Sequence, residues 1–503
     1  MRQDERGNRA GKDERAGRFG KDDRVKRAGK DERAGRFGKD DRGNRGGKDD
    51  KGSWVGKDDR VKRVGKDERA GRFRENDSTG RNRDGAGRKP SVMDSHKGGA
   101  VRRQDGTNHN KGGAKPCPVA SKCGGCRWIG REYAEQLKAK ETAFRKLMEP
   151  YAKPEPIVGM EDPTHYRNKV HAVFGEDRKH GIISGTYEEK SHRIVPVDSC
   201  LIEDRKADEI IVSIRGLLKS FKIRPYNEDT GCGLFRHVLV RTGHATGQVM
   251  VVLVLSAPVL PSKNNFVKAL LKLHPEITTV VLNVNERDTS MVLGEREQVL
   301  YGRGYIEDEL CGKTFRISPK SFYQVNPAQA EKLYRKAVEY AGLTGKEILV
   351  DAYCGTGTIG IAAADRAEKV LGVELNPDAV RDARANAKRN QVTNAEFYRN
   401  DAGKFLAQMA EQGGRADVVL LDPPRSGSTQ EFLDAVAKVG AKRVVYVSCE
   451  PETLVRDVKY LKKKGYAVQR CVAVDMFPYT ECTEAVCLLV KTRAGGGKAM
   501  DHG

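Results

Sequence analysis

Three segments in the last third of the chain combine strand-like apolar runs with residues that can do chemistry. Residues 444–457, VVYVSCEPETLVRD, place Cys449 at the end of one run, where a helix should begin. Residues 419–427, VLLDPPRSG, carry Asp422 at the end of another, and residues 348–361, ILVDAYCGTGTIGI, form a glycine-rich turn. Together they predict a methyl-transfer site with a cysteine nucleophile, and hence methylation of a pyrimidine carbon.

The predicted chemistry needs a thiolate and a base. Carbon 5 of uracil is too weak a nucleophile to attack a methyl sulfonium, but thiolate addition at carbon 6 makes it an enolate. A base must then remove the proton from carbon 5. Cys449 is the candidate nucleophile, and a helix N-terminus should favour its thiolate; a buried strand-end cysteine without a chemical role is the alternative. Glu484 and Glu481 compete as the base, and the residues alone do not choose between them.

The glycine-rich turn and the acidic residues near it predict a nucleoside-containing methyl donor. Gly355 and Gly357 would let the backbone approach a ligand closely. Glu374 ends the next strand and can accept hydrogen bonds from ribose hydroxyls, which fits S-adenosylmethionine as well as a dinucleotide. Asp401 ends the third strand, where it either faces the adenine or caps a helix. The Asp-Pro-Pro sequence at Asp422 is typical of base-modifying methyltransferases and favours S-adenosylmethionine.

A cysteine cluster is the second strong signal. Cys117, Cys123 and Cys126 lie within ten residues beside glycines, and Cys200 follows far downstream. Four thiolates can hold either a [4Fe–4S] cluster or a zinc ion. The spacing differs from the C-x3-C-x2-C of radical methylases, so we expect a closed site that is structural or faces RNA. Eleven cysteines without an export signal indicate the cytoplasm, where grouped cysteines usually bind metal or do chemistry.

The composition divides the 503 residues into regions. Residues 1–116 repeat a nonamer related to GKDERAGRF and hold 35 Lys and Arg against 21 Asp and Glu. They predict a disordered basic tail, which is either a loose RNA-contacting arm or a solvated segment. Residues 117–320 predict an α+β, RNA-binding domain that carries the cysteine cluster. Residues 321–493 alternate strands and helices, which predicts a Rossmann-like, doubly wound α/β methyltransferase domain, and residues 494–503 predict a flexible C-terminus.

The formal net charge of +22 indicates a nucleic-acid partner. No apolar run is long enough to span a bilayer, and Met1 leads directly into charged residues, so we expect a cytoplasmic protein without membrane contact. The sequence indicates no obligate protein partner.

Five motifs of this chain resemble those of the RNA uracil-5-methyltransferase family, in particular its 23S ribosomal RNA branch. The resemblance spans about residues 117–491, and Tyr479, Cys482 and Glu450 depart from the family pattern of His, His and Asn. The small N-terminal β-barrel of many relatives is not visible in the sequence. The motifs are SFYQVN (321–326), DAYCGTG (351–357), DPPRSG (422–427), YVSCEPETLVRD (446–457) and FPYTECTE (477–484).

The resemblance implies a role for each motif. It makes Cys449 the nucleophile and Glu484 the base of a uridine carbon-5 methyltransferase acting on RNA. It implies 23S ribosomal RNA as substrate, with transfer RNA second, because the transfer-RNA branch looks like it lacks the cysteine cluster. It assigns the S-adenosylmethionine site to Gln324, Tyr353, Glu374 and Asp422, and a [4Fe–4S] cluster to Cys117, Cys123, Cys126 and Cys200.

Two rivals remain at the level of sequence. One is a non-catalytic RNA-binding assembly factor with a methyltransferase fold, against which the intact Cys449 and Glu484 argue. The other is a cytosine-5 RNA methyltransferase, which the absence of a cysteine from the DPPR motif disfavours.

Overall fold

A computed structural model describes residues 117–189, 191–287 and 291–492 of the chain. The predicted basic tail (1–116) and the predicted flexible C-terminus (494–503) lie outside the described residues, so both stay predictions.

Ten helices and seventeen strands make up the described part of the chain. The helices are α1 (Ala120–Cys123), α2 (Tyr133–Met148), α3 (Arg205–Ser220), α4 (Lys263–Leu273), α5 (Pro327–Ala341), α6 (Thr358–Ala363), α7 (Pro377–Arg389), α8 (Ala402–Glu411), α9 (Gln430–Val439) and α10 (Pro451–Lys463). The strands before residue 320 are β1 (Glu155–Val158), β2 (Lys169–Asp177), β3 (Gly181–Tyr187), β4 (Ile194–Pro196), β5 (Phe235–Thr242), β6 (Val249–Leu255), β7 (Ile277–Val284), β8 (Arg296–Tyr301), β9 (Ile306–Leu310) and β10 (Lys313–Ile317). The later strands are β11 (Ile348–Ala352), β12 (Lys369–Glu374), β13 (Ala395–Arg399), β14 (Val418–Leu421), β15 (Arg443–Ser448), β16 (Tyr466–Val474) and β17 (Glu484–Lys491).

The central region is built on a seven-stranded sheet. Its strand order is β4-β3-β2-β5-β6-β7-β8, and neighbours are antiparallel except for β6 and β7, which α4 connects as a parallel pair. The strand β6 reads VMVVLVL and is buried throughout, as its continuous apolar run predicts. Helices α3 and α4 cover one face of the sheet, which confirms the predicted α+β architecture.

The second sheet has eight strands in the order β1-β16-β17-β15-β14-β11-β12-β13. Strands β11 to β15 are mutually parallel, and the central strand β14 is buried throughout. Helices α5, α6 and α7 pack on one face, and α8, α9, α10 and α2 pack on the other. This is the predicted Rossmann-like arrangement, and its strand order reverses between β11 and β14, where such sheets bind ligands.

Two strands extend this sheet in ways that the strand–helix alternation does not reveal. The final strand, β17, lies antiparallel between β15 and β16. The early strand β1 pairs in parallel with β16 at the edge, so residues 155–158 join this sheet and not the central one. Long-range pairing decides both positions, and local sequence carries no signal for it. The predicted domain boundaries at 116, 320 and 493 otherwise stay predictions.

Within the ranges that the structure describes, no helix is both long enough and apolar enough to cross a membrane.

Candidate active site

The antiparallel pairing of β15 with β17 brings Cys449 and Glu484 to the same end of the sheet. Ser448 pairs with Ala485 in the last registered pair, Cys449 directly follows Ser448, and Glu484 directly precedes Ala485. The sheet itself therefore brings the predicted nucleophile and the predicted base together, at the end where α10 begins.

A cavity of about 1090 Å³ opens at this sheet edge. It is lined by all six residues that the sequence assigned to catalysis and methyl-donor binding: Cys449, Glu484, Gln324, Tyr353, Glu374 and Asp422. Glu481 is exposed and is not among the lining residues, so the geometry favours Glu484 between the two candidate bases.

The surroundings of Cys449 oppose its ionisation. The pKa of the thiol is raised to about 11, chiefly by burial and then by the charges of Glu484 and Asp422, while Arg425 works against them. The sequence argument expected a thiolate favoured by the start of α10, and the structure differs. Cys449 is partly buried and lies two residues before α10. Burial and the two carboxylates raise its pKa by more than the start of the helix lowers it.

The carboxyl groups in the cavity have raised pKa values. The pKa of Glu484 is raised to about 8, chiefly by burial and then by the nearby Asp422. Burial alone raises the pKa of Asp422 to about 7. A carboxylate with a pKa near 8 is a stronger base than an ordinary glutamate, as proton removal from carbon requires.

The glycine-rich turn between β11 and α6 has room for a ligand. Gly355 has a φ of +54°, and a Cβ built on it would meet no atom within 4 Å. The Glu374 carboxylate accepts the backbone N–H of Gly355 at 3.2 Å and that of Asn376 at 2.8 Å, so it holds the turn in place. Tyr353, with a φ of 61°, packs its ring 5.3 Å from that of Phe432.

These features fit S-adenosylmethionine. A backbone that can approach the ligand lies beside the carboxylates Glu374 and Asp422, both of which line the cavity. Gln324 is buried and lines the same cavity, as does Tyr334 of α5.

Sequence reasoning missed two buried residues beside the site. Asp351, the residue before the last of β11, accepts the backbone N–H of Gly360 at 2.9 Å, and burial is the main cause that raises the pKa of Asp351 to about 7. It stands in the quoted DAYCGTG motif, so its position was visible but its role was not. Tyr334 lies on α5, and its pKa is raised by burial and then by Asp422. No local signal could have identified Tyr334, because it reaches the site through the packing of α5.

Asp401 serves as the N-cap of α8. Its side chain accepts the backbone N–H of Lys404 at 2.9 Å, and it is not among the residues that line the cavity. Of the two roles considered from sequence, the geometry therefore supports the cap.

The cysteine segment lies beside the active-site domain. Cys117, Cys123, Cys126 and Cys200 are all partly buried free thiols. The pKa of Cys126 is raised to about 11, chiefly by burial and then by Cys123 and Cys117. Among the described residues, however, no three Cys, His, Asp or Glu side chains are arranged to hold a metal ion. The arrangement therefore does not by itself support the predicted cluster.

Comparison with known proteins identifies the group to which the chain is similar. Residues 132–492 match the profile of the tRNA (uracil-5-)-methyltransferase family. An uncharacterized RNA methyltransferase of Halalkalibacterium halodurans is 41% identical over 379 residues, covering 74% of this chain and 82% of the relative. One from Caldanaerobacter subterraneus is 42% identical over 377 residues, covering 74% and 83%.

A solved structure shows the same fold. The tRNA (uracil-54, C5)-methyltransferase of Pyrococcus abyssi, in complex with S-adenosyl-L-homocysteine, is 30% identical with a TM-score of 0.60. The match covers 71% of this chain and 84% of the other.

Proposed function

Because the chain belongs to the tRNA (uracil-5-)-methyltransferase family, and is thus an S-adenosylmethionine-dependent RNA methyltransferase, we propose that it methylates carbon 5 of a uridine through a covalent bond to Cys449. The observation that carries this proposal is that Cys449, Glu484 and Asp422 line one cavity, at the end of the sheet where the β15–β17 pairing stops.

The proposed reaction assigns one step to each residue. The Cys449 thiol loses its proton to solvent, and its sulfur bonds to carbon 6 of the uracil, which makes carbon 5 nucleophilic. Carbon 5 takes the methyl group from the sulfonium donor, held by Gln324, Tyr353, Glu374 and Asp422. The Glu484 carboxylate removes the proton from carbon 5. The released electron pair restores the double bond between carbons 5 and 6, and the sulfur of Cys449 leaves as a thiolate.

Two substitutions test this reaction. Cys449→Ala should abolish methylation while S-adenosylmethionine still binds, because the donor pocket is built from other residues. Cys482→Ser, at another thiol that lines the cavity, is the matched control and should retain activity. Substantial turnover by Cys449→Ala would refute the covalent mechanism.

For Glu484→Gln we expect a trapped RNA–protein adduct, because methyl transfer can proceed but proton removal cannot. The adduct should appear as a shifted band on a denaturing gel. The control is Glu481→Gln, which changes an exposed residue three positions before Glu484 and should turn over normally. A shifted band with Glu481→Gln instead would move the base to that residue.

We propose 23S ribosomal RNA as the substrate. The support is the cysteine segment at Cys117–Cys126, since the transfer-RNA branch of the family looks like it lacks it. The name of the matched family and the Pyrococcus abyssi enzyme both favour transfer RNA, which is the second candidate. An enzyme acting on either RNA would work in the cytoplasm. Mapping 5-methyluridine in both RNAs, from cells with and without the gene, decides between them.

We also propose that Cys117, Cys123, Cys126 and Cys200 hold a [4Fe–4S] cluster. The support is the spacing of these cysteines in the sequence, and no catalytic step depends on the cluster. Protein purified without oxygen should be brown and contain about four irons per chain. Cys200→Ser should lose the metal, whereas the exposed Cys232→Ser should not. Stoichiometric zinc without iron would refute the assignment.

A further inference from the structure

The loop between β16 and β17, residues 475–483, is held by one buried lysine. The Nζ of Lys140, on α2, donates to Asp475 Oδ1 at 2.6 Å, to the Phe477 carbonyl at 3.1 Å and to the Cys482 carbonyl at 2.8 Å. An ammonium has three N–H donors, and all three are used. The side chains of Lys140 and Asp475 have no exposed surface. One cation from another part of the chain therefore joins both ends of this loop.

A second residue of the same helix face holds the middle of the loop. Gln136, four residues before Lys140, accepts the backbone N–H of Tyr479 at 2.9 Å through its side-chain oxygen. The Tyr479 carbonyl accepts the backbone N–H of Trp128 at 3.1 Å. Tyr479 has a φ of 66°, a left-handed conformation that a non-glycine residue keeps only when its surroundings impose it.

The loop forms a wall of the active-site cavity. Phe477 and Cys482, whose carbonyls bind Lys140, both line the cavity, and Glu484 follows the loop directly. Cys449, in contrast, follows β15 on the other side of β17, and none of the bonds made by Lys140 or Gln136 reaches it. The buried contacts of α2 therefore act on the side of the cavity that carries the base.

We propose that Lys140, assisted by Gln136, is a positioning residue for the proton-removal step, through the loop that forms the cavity wall beside Glu484. The inference rests on the proposed function and extends it to a helix outside the methyltransferase motifs. The segment that carries Cys117–Cys126 leads into α2, and the backbone N–H of Trp128 bonds the same loop.

We expect a larger fraction of the methylated adduct to remain bound to the protein, and a smaller fraction to be released as product. Loosening the wall should slow proton removal but leave thiol addition and methyl transfer nearly unchanged. Displacements of about 1 Å can cost on the order of a hundredfold in rate, so a partial loosening should slow breakdown of the adduct about tenfold. A role in folding alone would lower the amount of active protein, and the ratio of methylated adduct to released product would stay unchanged.

The test uses the full-length protein, methyl-labelled S-adenosylmethionine and the RNA that wild type methylates. Lys140→Met leaves Asp475 as an unpaired buried charge and should destabilise the fold, so the double variant Lys140→Met/Asp475→Asn carries the measurement. Gln136→Met leaves the ion pair intact and should show a smaller effect in the same direction. Lys138→Met, at an exposed lysine on the same helix, is the matched control.

The readout is the fraction of labelled RNA that stays bound to protein on a denaturing gel during one turnover. Accumulation of methylated adduct in the double variant and in Gln136→Met, but not in Lys138→Met, supports the proposal. A wild-type ratio in both variants overturns it while the proposed function stands, provided that Glu484→Gln still traps the adduct. If wild type makes no 5-methyluridine, or if Cys449→Ala retains activity, the proposed function itself fails.

Discussion

Cys449 needs help to ionise, and Arg425 is the residue placed to give it. Arg425 lowers the pKa of both Cys449 and Glu484 while lying exposed at the cavity mouth. Adenine-N6 methyltransferases usually have an aromatic residue at this position of the motif, so the arginine changes the electrostatics of the site as well as its shape.

Substituting Arg425 by Ala should raise the pKa of Cys449 further. At pH 8 to 9 the thiolate fraction falls, and alkylation by iodoacetamide should slow about two- to fivefold, since the thiolate is the reactive form. Arg425→Lys should react almost as wild type. Rates come from mass spectrometry of the Cys449 peptide in a Cys482→Ser background, and equal rates in all three proteins would contradict the assignment.

The buried Glu484 should make stability depend on pH. The pKa of Glu484 is about 8 in the folded protein against an ordinary value of 4.5. Between pH 4.5 and 8 the folded protein therefore holds a proton that the unfolded chain has lost. Stability therefore falls as pH rises from 4.5 to 8 and then levels off.

Glu484→Gln should remove this penalty. The variant should be more stable than wild type by about 1 to 4 kcal/mol at pH 8.5, because one pKa unit corresponds to about 1.4 kcal/mol, and by much less at pH 5. Urea unfolding at both pH values measures the difference. Glu481→Gln, at an exposed position, should show no such change, and a pH-independent gain for Glu484→Gln would refute the explanation.

At the scale of elements, local sequence patterns indicated the residues that line the cavity, but they did not indicate the positions of β1 and β17 in the sheet. Cys449, Asp422 and the glycine turn carry local signals because each sits at a strand-to-helix junction. The choice of Glu484 over Glu481 depends on the register of β17 against β15, which no local pattern encodes. At Cys449 the sequence predicted a thiolate favoured by the start of α10, but burial raises the pKa of the thiol. Burial depends on the packing around the cavity, which no local pattern encodes.

The turn after β11 depends on a glycine inside α6. A Cβ on Gly360 would lie 2.7 Å from Asp351 Oδ2, which accepts the Gly360 N–H. Gly360→Ala should therefore displace the turn and weaken S-adenosylmethionine binding at least tenfold by calorimetry.

A glycine-to-alanine substitution in α3 serves as the control, because it should not weaken S-adenosylmethionine binding. A Cβ on Gly216 would meet nothing within 4 Å, so Gly216→Ala should stabilise the protein by about 0.5 to 1 kcal/mol and leave S-adenosylmethionine binding unchanged. If Gly360→Ala and Gly216→Ala bind S-adenosylmethionine with similar affinity, the turn tolerates a Cβ at position 360 and the prediction is wrong.

At the scale of the whole molecule, contacts between distant parts of the chain complete the site. Arg241 is buried in the central sheet, and it donates to the carbonyls of Pro319 and Ser321, just before Gln324. Lys140 acts similarly from α2. Their partners are backbone carbonyls, which are present at every residue, so sequence patterns could not identify these pairs.

Residues 1–116 carry most of the net charge without a core-forming pattern. Deleting them should leave the rate on saturating RNA unchanged, lower RNA affinity and make its salt dependence shallower, because fewer phosphates are neutralised. Filter binding at several salt concentrations measures both quantities. An unchanged salt slope would support the solvated tail, and a truncated protein that fails to fold would refute the predicted disorder.

The position of β17 also fixes the order in which the enzyme is completed during synthesis. The chain emerges from the ribosome N-terminus first, yet its last strand fills the gap between β15 and β16. Until residues 484–491 are made, two strand edges lack their partner and Cys449 lacks Glu484. Completion of the sheet and arrival of Glu484 at the cavity that Cys449 lines are therefore one event.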